Sequence, residues 1–434
     1  MSSLARLKED EYVPQIERLS AIEILDSRGR PTVGAWCELA SGARVWASVP
    51  SGASTGRAEA VELRDGDPNR HSGLGCRKAV GHVNHEINDA LRGKSFINQR
   101  QLDDTIIALD GTPNKSKLGA NALLAVSIAF ARASAMEAKK PLFEHLASMV
   151  EGSSRTLPRL TINLFSGGKH AGEQVPIQDV LIVPLSESTI DQGLADASAV
   201  YRAATALCAR KYQMRPLVAD EGGLAPPFPS INAMLEDAVE SIQSAGFVPG
   251  KDVAIAIDVA SSHFFADGHY QLEGQSLLPG QMIERVAQWV DRYPIISVED
   301  ALSEEDWSNW PALRTRIGNR ALVLGDDLLC TNPQRIARAI ESSSASALLL
   351  KVNQIGTLSE AAQAHALAKE AGWSITISAR SGETEDDWLA DLAVGWSGNQ
   401  IKVGSISRSE RLAKYNRLLM IEAQTRWPVT AWPS

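Results

Sequence analysis

Hydrophobic and polar positions follow two different rhythms along this chain. Residues 1–150 open with short alternating or β-branched runs at 21–25, 32–39 and 43–49, the first two separated by the turn signal Ser27-Arg28-Gly29. A Gly/Ser-rich stretch from Ser51 to Gly56 comes next, and helical periodicity follows at 76–91 and 120–138. Strands first and helices after predict a small α+β unit. From Leu157 onward, apolar runs alternate with amphipathic stretches at 190–211, 230–245, 280–293, 333–342 and 358–371. That alternation predicts βα units around a parallel sheet, filling residues 151–434. The polar stretch from Gly152 to Thr156 marks the expected boundary.

The apolar runs of the second part share a second feature, which carries chemistry. Ala254–Ile257 ends in Asp258, Ile295–Val298 in Glu299 and Asp300, and Leu322–Leu324 reaches Asp326 and Asp327 through Gly325. Ala347–Leu350 then ends in Lys351, Ile375–Ile377 reaches Arg380, and Ile401 is followed by Lys402. One acid after a strand is ordinarily a helix cap. Six charged endings, three acidic and then three basic, fit a parallel barrel, whose strand C-termini converge on one face. The order predicts carboxylates on one side of a pocket and cations on the other.

Composition narrows the class. The 434 residues are 44% apolar and 22% charged, ordinary for a globular protein and long enough for about two or three domains. The net charge of −9 argues against a broad nucleic-acid or anionic-membrane surface. Cys37, Cys76, Cys208 and Cys330 are widely spaced and read as reduced, buried thiols. No apolar run approaches the ~18–20 residues of a membrane span. The N-terminal residues lack the apolar core of a signal peptide, so the expected location is cytoplasmic.

Three carboxylates without neighbouring Cys or His favour a hard, oxygen-seeking cation such as Mg²⁺ over zinc. A lysine ending an apolar strand, as Lys351 does, is a candidate general base if burial and cationic neighbours lower its pKa; otherwise it is a structural ion pair. Metal, lysine and further cations suit proton abstraction beside a carboxylate, where the enediolate gathers negative charge. If a β-hydroxyl then leaves, an acid is needed, and Glu221 in the Gly-rich stretch Asp220-Glu221-Gly222-Gly223 is the candidate.

With these residues in place, the chain resembles the enolase family, the phosphopyruvate hydratases, from about Ile22 to Glu422. The motifs are Leu25-Asp26-Ser27-Arg28-Gly29, Val49 to Gly56, Glu62-Leu63-Arg64-Asp65, Asn114 to Ala122, Asp220 to Gly223, Val298 to Asp300, Gly325 to Asp327, Leu350 to Gly356, Arg380 to Asp386, Ile401-Lys402 and Arg408 to Arg411. The resemblance implies an α+β N-terminal domain capping an enolase-type modified (β/α)8 barrel, and a homodimer or higher homo-oligomer. It implies Asp258, Glu299 and Asp326 as ligands of one Mg²⁺, and Ser54 as a ligand of a second that arrives with substrate. Lys351 matches the base, Lys402 the cation beside the substrate carboxylate, and Glu221 the acid for the leaving hydroxyl. Arg380 and Ser381 match a phosphate-binding pair, and His170 and Gln178 match loop residues of the active site. The implied partner is a small phosphorylated or phosphonylated carboxylic acid, with no nucleic acid and no membrane.

Three positions depart from the family pattern. Its usual Ser-His-Arg-Ser reads Ser378-Ala379-Arg380-Ser381, its Gln-Glu reads Gln178-Asp179, and its Asn-Gly-Gly reads Ser166-Gly167-Gly168. All three are expected near the leaving group. Ala379 removes an imidazole and opens room; Asp179 withdraws a carboxylate by one methylene. Two enzymatic readings follow. One is dehydration of 2-phosphoglycerate to phosphoenolpyruvate. The other is a retuned relative acting in phosphonate biosynthesis, such as a carboxyphosphonoenolpyruvate synthase. Retention of the base and the metal ligands opposes a third reading, a non-catalytic binding protein.

Overall fold

The alternating runs near the N-terminus pair as an antiparallel sheet. In this computed structural model, which describes residues 13–433 apart from 53–55, 187, 214 and 216, β1 (Ile16–Leu25), β2 (Pro31–Leu39) and β3 (Arg44–Ser48) lie in that order. β1 begins earlier than its apolar pattern suggests because Ile16 and Leu19 also reach the core. Helical residues 77–91 cover its free edge. Asn88 and Asn84, one helical turn apart, accept from the backbone N–H of Leu19 (2.8 Å) and Ala21 (2.7 Å), so the edge strand's donors are satisfied. The helix Ala120–Glu137 is buried on nearly every side. Its many alanines let it pass close to β2 and β3 on one side and to the barrel on the other.

The second half closes into a barrel of eight strands: β4 (Arg159–Ser166), β5 (Asp179–Pro184), β6 (Val253–Asp258), β10 (Ile295–Glu299), β11 (Leu322–Gly325), β12 (Ala347–Leu350), β13 (Ser374–Ser378) and β14 (Gln400–Lys402). Between β6 and β10 the chain makes a small outlying sheet of β7 (Phe265–Ala266), β8 (His269–Leu272) and β9 (Gln275–Leu277). β4, β5 and β6 are wholly buried; β5 and β6 accordingly read as apolar runs, whereas β4 interleaves Arg159, Thr161 and Asn163 with its apolar residues.

The sheet is not parallel throughout. β5 runs antiparallel to both β4 and β6, while every other barrel pairing is parallel. Two helices, Ile190–Tyr212 and Ile231–Ser244, follow β5 before the regular βα alternation begins. The cause is the short β4–β5 connection, about a dozen residues without the crossover helix a parallel pair requires. The helix Trp388–Gly395 was not apparent from periodicity because it is buried all round. The four cysteines are free and buried, as expected. No described helix is long and apolar enough to cross a membrane.

Candidate active site

The barrel's strand order sorts charge around its mouth. β6, β10 and β11 are neighbours and deliver Asp258, Glu299 and Asp326; β12, β13 and β14 are neighbours and deliver Lys351, Arg380 and Lys402. Asp179 joins them for a different reason. Because β5 is reversed, it starts where the adjoining strands end, and Ser166, Asp179, Asp258 and Glu299 follow one another in register.

The two arcs are locked together by ion pairs. Lys402 lies opposite β10 in the ring, and its Nζ crosses the mouth to Glu299 Oε2 (2.6 Å) and Asp258 Oδ2 (3.0 Å). Lys351 Nζ pairs with Asp326 Oδ2, whose other oxygen accepts from Gln354 Nε2 at 2.8 Å. Gln178 Nε2 donates to Asp258 Oδ2 at 3.1 Å. Asp300, whose φ is +43°, accepts from the backbone N–H of Asp326 (3.0 Å) and of Asp327 (2.7 Å), so it braces the loop that carries Asp326.

A second cluster sits beside the reversed strand. Asp179 accepts from Ser166 Oγ (2.7 Å), and its other oxygen meets His170 Nδ1 at 3.0 Å. His170 Nε2 lies 3.9 Å from Glu221 Oε1. Asn163 Nδ2 donates to Glu221 Oε2 at 3.0 Å. The turn that aims Glu221 inward needs its glycine: Gly222 has φ +88°, and a Cβ there would lie 2.6 Å from Ser407 Oγ.

The expected phosphate pair is differently employed. Arg380 is buried and donates to Glu59 (3.0 and 3.2 Å) and to Asn353 Oδ1 (3.0 Å). Ser381 Oγ accepts from Arg28 Nη1 at 3.0 Å, a contact made across from the N-terminal sheet. Ser54 lies outside the described residues. Glu59, Asn353 and Arg28 were not singled out from sequence as site residues, although all three lie inside or beside the quoted motifs. His263, which lines the same pocket as Lys351 and Lys402, gave no sequence signal at all.

Electrostatics follow from crowding in a buried place. Burial pushes Asp258 up, but Lys402 beside it brings it down to about 2. Burial and the adjacent Asp258 hold Glu299 well above the usual carboxylate range. Burial and Asp326 raise Asp327 to about 7. Burial would lower His170, yet the Asp179 and Glu221 carboxylates raise it to about 9. Burial raises Glu221, and His170, Arg411 and the two lysines more than reverse it. For Lys351 the structure shows the ion pair, one of its two sequence readings. Burial and Arg380 do push its amine down, but the Asp326 carboxylate in contact with it prevails and the pKa is raised.

The acidic arc fits a hard cation. Its donors are all carboxylate oxygens, Glu299 Oε1 is buried without a partner, and the ammonium of Lys402 already draws Asp258 and Glu299 together. Among the described residues, the groups whose ligand atoms converge within 4.8 Å are Asp300, Asp326 and Asp327, and His170, Asp179 and Glu221. The expected set of Asp258, Glu299 and Asp326 is not one of them; Lys402 bridges the first two, while Asp326 is paired with Lys351 instead. Within the first group, Asp300 is already committed to two backbone N–H groups and Asp326 to Lys351 and Gln354.

Two family models match the chain: Enolase, N-terminal domain, over residues 16–146, and Enolase, C-terminal TIM barrel domain, over residues 154–427. They cover nearly the whole sequence, and the three-stranded sheet and the eight-stranded barrel fall within them. On this evidence the chain belongs to the enolase family.

Proposed function

We propose that this protein is a Mg²⁺-dependent lyase that removes the α-proton of a 2-phosphoglycerate-like acid and eliminates its β-hydroxyl to give an enolpyruvyl phosphate. The observation that supports this reading most is the facing of Lys351 and Lys402 against Asp258, Glu299 and Asp326 across one barrel mouth. Residues 1–150 act as a cap and 151–434 as the catalytic barrel. Asp258, Glu299 and Asp326 hold the cation, with Ser54 serving a second. A Mg²⁺ ion held there would supply positive charge beside the substrate carboxylate.

The chain's own groups do the rest. Lys351 takes the C2 proton onto Nζ. With Asp326 committed to a cation, Lys351 loses the counter-ion that holds its pKa up, and burial with Arg380 and Lys402 beside it favours the neutral amine. Lys402 pairs with the substrate carboxylate. Arg380 and Ser381 receive the phosphate, which displaces Glu59 from the guanidinium. Glu221 donates a proton to the departing C3 hydroxyl, so that water leaves. An anionic substrate beside it offsets the cations that now keep it ionised.

A second reading is supported by Ala379, which is buried in the pocket wall where an imidazole is expected. On that reading the same base and metal act on a bulkier phosphonate-type acid. Phosphoenolpyruvate formation from 2-phosphoglycerate with Mg²⁺, followed by absorbance, decides between them. Turnover in the ~1–10³ s⁻¹ range common to enzymes supports the first reading. Exchange of the α-proton without elimination supports the second. Absence of both rejects the proposal.

A further inference from the structure

One side chain of the pocket has no task in this scheme. His263 follows β6 in a short turn whose backbone N–H donates to Ala260 O at 3.1 Å. It lines the pocket with Ala260, Ala379 and the lysines. No described residue hydrogen-bonds its ring. Burial keeps the imidazole on the neutral side, and nearby Lys169 does so further. A neutral imidazole carries one N–H donor and one acceptor nitrogen, and this ring lines the pocket.

Its position in the barrel says what meets it. β6 and β13 stand four places apart in the eight-stranded ring, so His263 faces the mouth from the wall opposite Arg380. Its electrostatic neighbours are Asp258 and, from the β4–β5 connection, Lys169, His170 and Glu173. That connection carries the residues next to Glu221, the leaving-group side. Two alanines belong to the lining, Ala260 close to His263 and Ala379 next to Arg380.

We infer that His263 is a specificity-determining contact, and that the pocket takes 2-phospho acids whose C3 carries, besides the leaving hydroxyl, a further polar substituent, which the imidazole hydrogen-bonds. An apolar substituent filling the same space would leave the ring nitrogens unpaired, at a cost that disfavours it. A three-carbon acid leaves His263 to water. The inference rests on the proposed placing of phosphate at Arg380 and leaving group at Glu221.

The test uses the full chain saturated with Mg²⁺ and two probes, 2-phospho-D-glycerate and its four-carbon homologue 2-phospho-D-erythronate, which adds a hydroxymethyl group on C3. Binding of each is measured by calorimetry for the native protein, His263→Ala and His263→Gln. The native protein is expected to bind the homologue at least as tightly as the glycerate. His263→Ala should weaken the homologue about tenfold and the glycerate less than twofold, and His263→Gln, whose amide keeps a donor and an acceptor, should restore most of the difference. Equal weakening of both, no weakening, or exclusion of the homologue by the native protein overturns the inference. Deuterium exchange of the glycerate α-proton is followed in parallel. Its absence in the native protein counts against the proposed lyase, while the binding ratio still decides on His263.

Discussion

Ser166 and Asp179, two of the three pocket positions that depart from the family pattern, are hydrogen-bonded to each other, Oγ to Oδ1 at 2.7 Å. They sit directly opposite in the antiparallel β4–β5 ladder, and both are fully buried. The shorter carboxylate and the hydroxyl therefore form one unit, with His170 on the other oxygen. Their effects on catalysis should not add. Ser166→Ala is expected to lower turnover of 2-phosphoglycerate several-fold in the native protein and to do much less in an Asp179→Glu background. The coupling should fall in the ~0.5–3 kcal/mol range of residues in one network. A double-mutant cycle on kcat/KM measures it, and additive losses would show that the two positions act separately.

The same cluster sets a pH dependence. The folded pKa of His170, about 9 against an ordinary 6.5, is raised. A raised pKa means that the folded state binds the proton more tightly than the unfolded chain does. The stability it contributes is complete below about 6.5 and is lost as pH rises through about 9. In metal-free protein, urea unfolding should show stability falling between these values. His170→Gln should flatten that fall and also alter the acid limb, because the imidazolium lowers the pKa of Asp179 and Glu221. An identical slope in the variant would place the titrating group elsewhere.

The proton-abstraction set separates by role. Lys351→Ala is expected to abolish α-proton exchange, a loss of ~10²–10⁴-fold or more for a general base, and to leave Mg²⁺ affinity within a few-fold, since the amine is no ligand. Asp326→Ala should do the reverse first, weakening Mg²⁺ binding by tenfold or more before any rate is measured. Calorimetric titration of Mg²⁺ beside deuterium exchange distinguishes them. Retained exchange in Lys351→Ala would remove it as the base, and unchanged metal affinity in Asp326→Ala would remove that residue from the metal site.

Much of this arrangement was legible because strand ends carry it. Asp258, Glu299, Lys351 and Lys402 each close or follow a buried apolar run, and a barrel must bring such ends to one face. Asp179 could not be placed that way. It begins its strand, and only the reversal of β5 puts it at the mouth. The engagement of Arg380 by Glu59, some three hundred residues away in sequence, is a contact between the two halves of the chain that local pattern cannot express. His263 was invisible for a similar reason. A lone histidine in a turn acquires meaning only when a pocket forms around it. For Lys351 the sequence offered either a lowered pKa or an ion pair, and only the fold shows that Asp326 touches it and raises the pKa.

The remaining departure, Ala379, tests whether the pocket can be turned back. Ala379 is held by its backbone N–H to Lys402 O at 2.9 Å and lies in the pocket wall, so a larger side chain there changes the pocket lining. Glutamate at position 179 is harder to place. The native carboxylate already fills the gap between Ser166 and His170, and one more methylene must carry it past them toward the Glu221 side. Under the altered-substrate reading, Ala379→His with Asp179→Glu should raise kcat/KM for 2-phosphoglycerate by about tenfold, the lower end of what acid–base helpers contribute. The single variants should each yield less, because the restored imidazole and the extended carboxylate act on the same leaving group. Phosphoenolpyruvate absorbance checks this directly. No gain in the pair, with folding intact by calorimetry, would mean that these positions do not govern the choice of substrate.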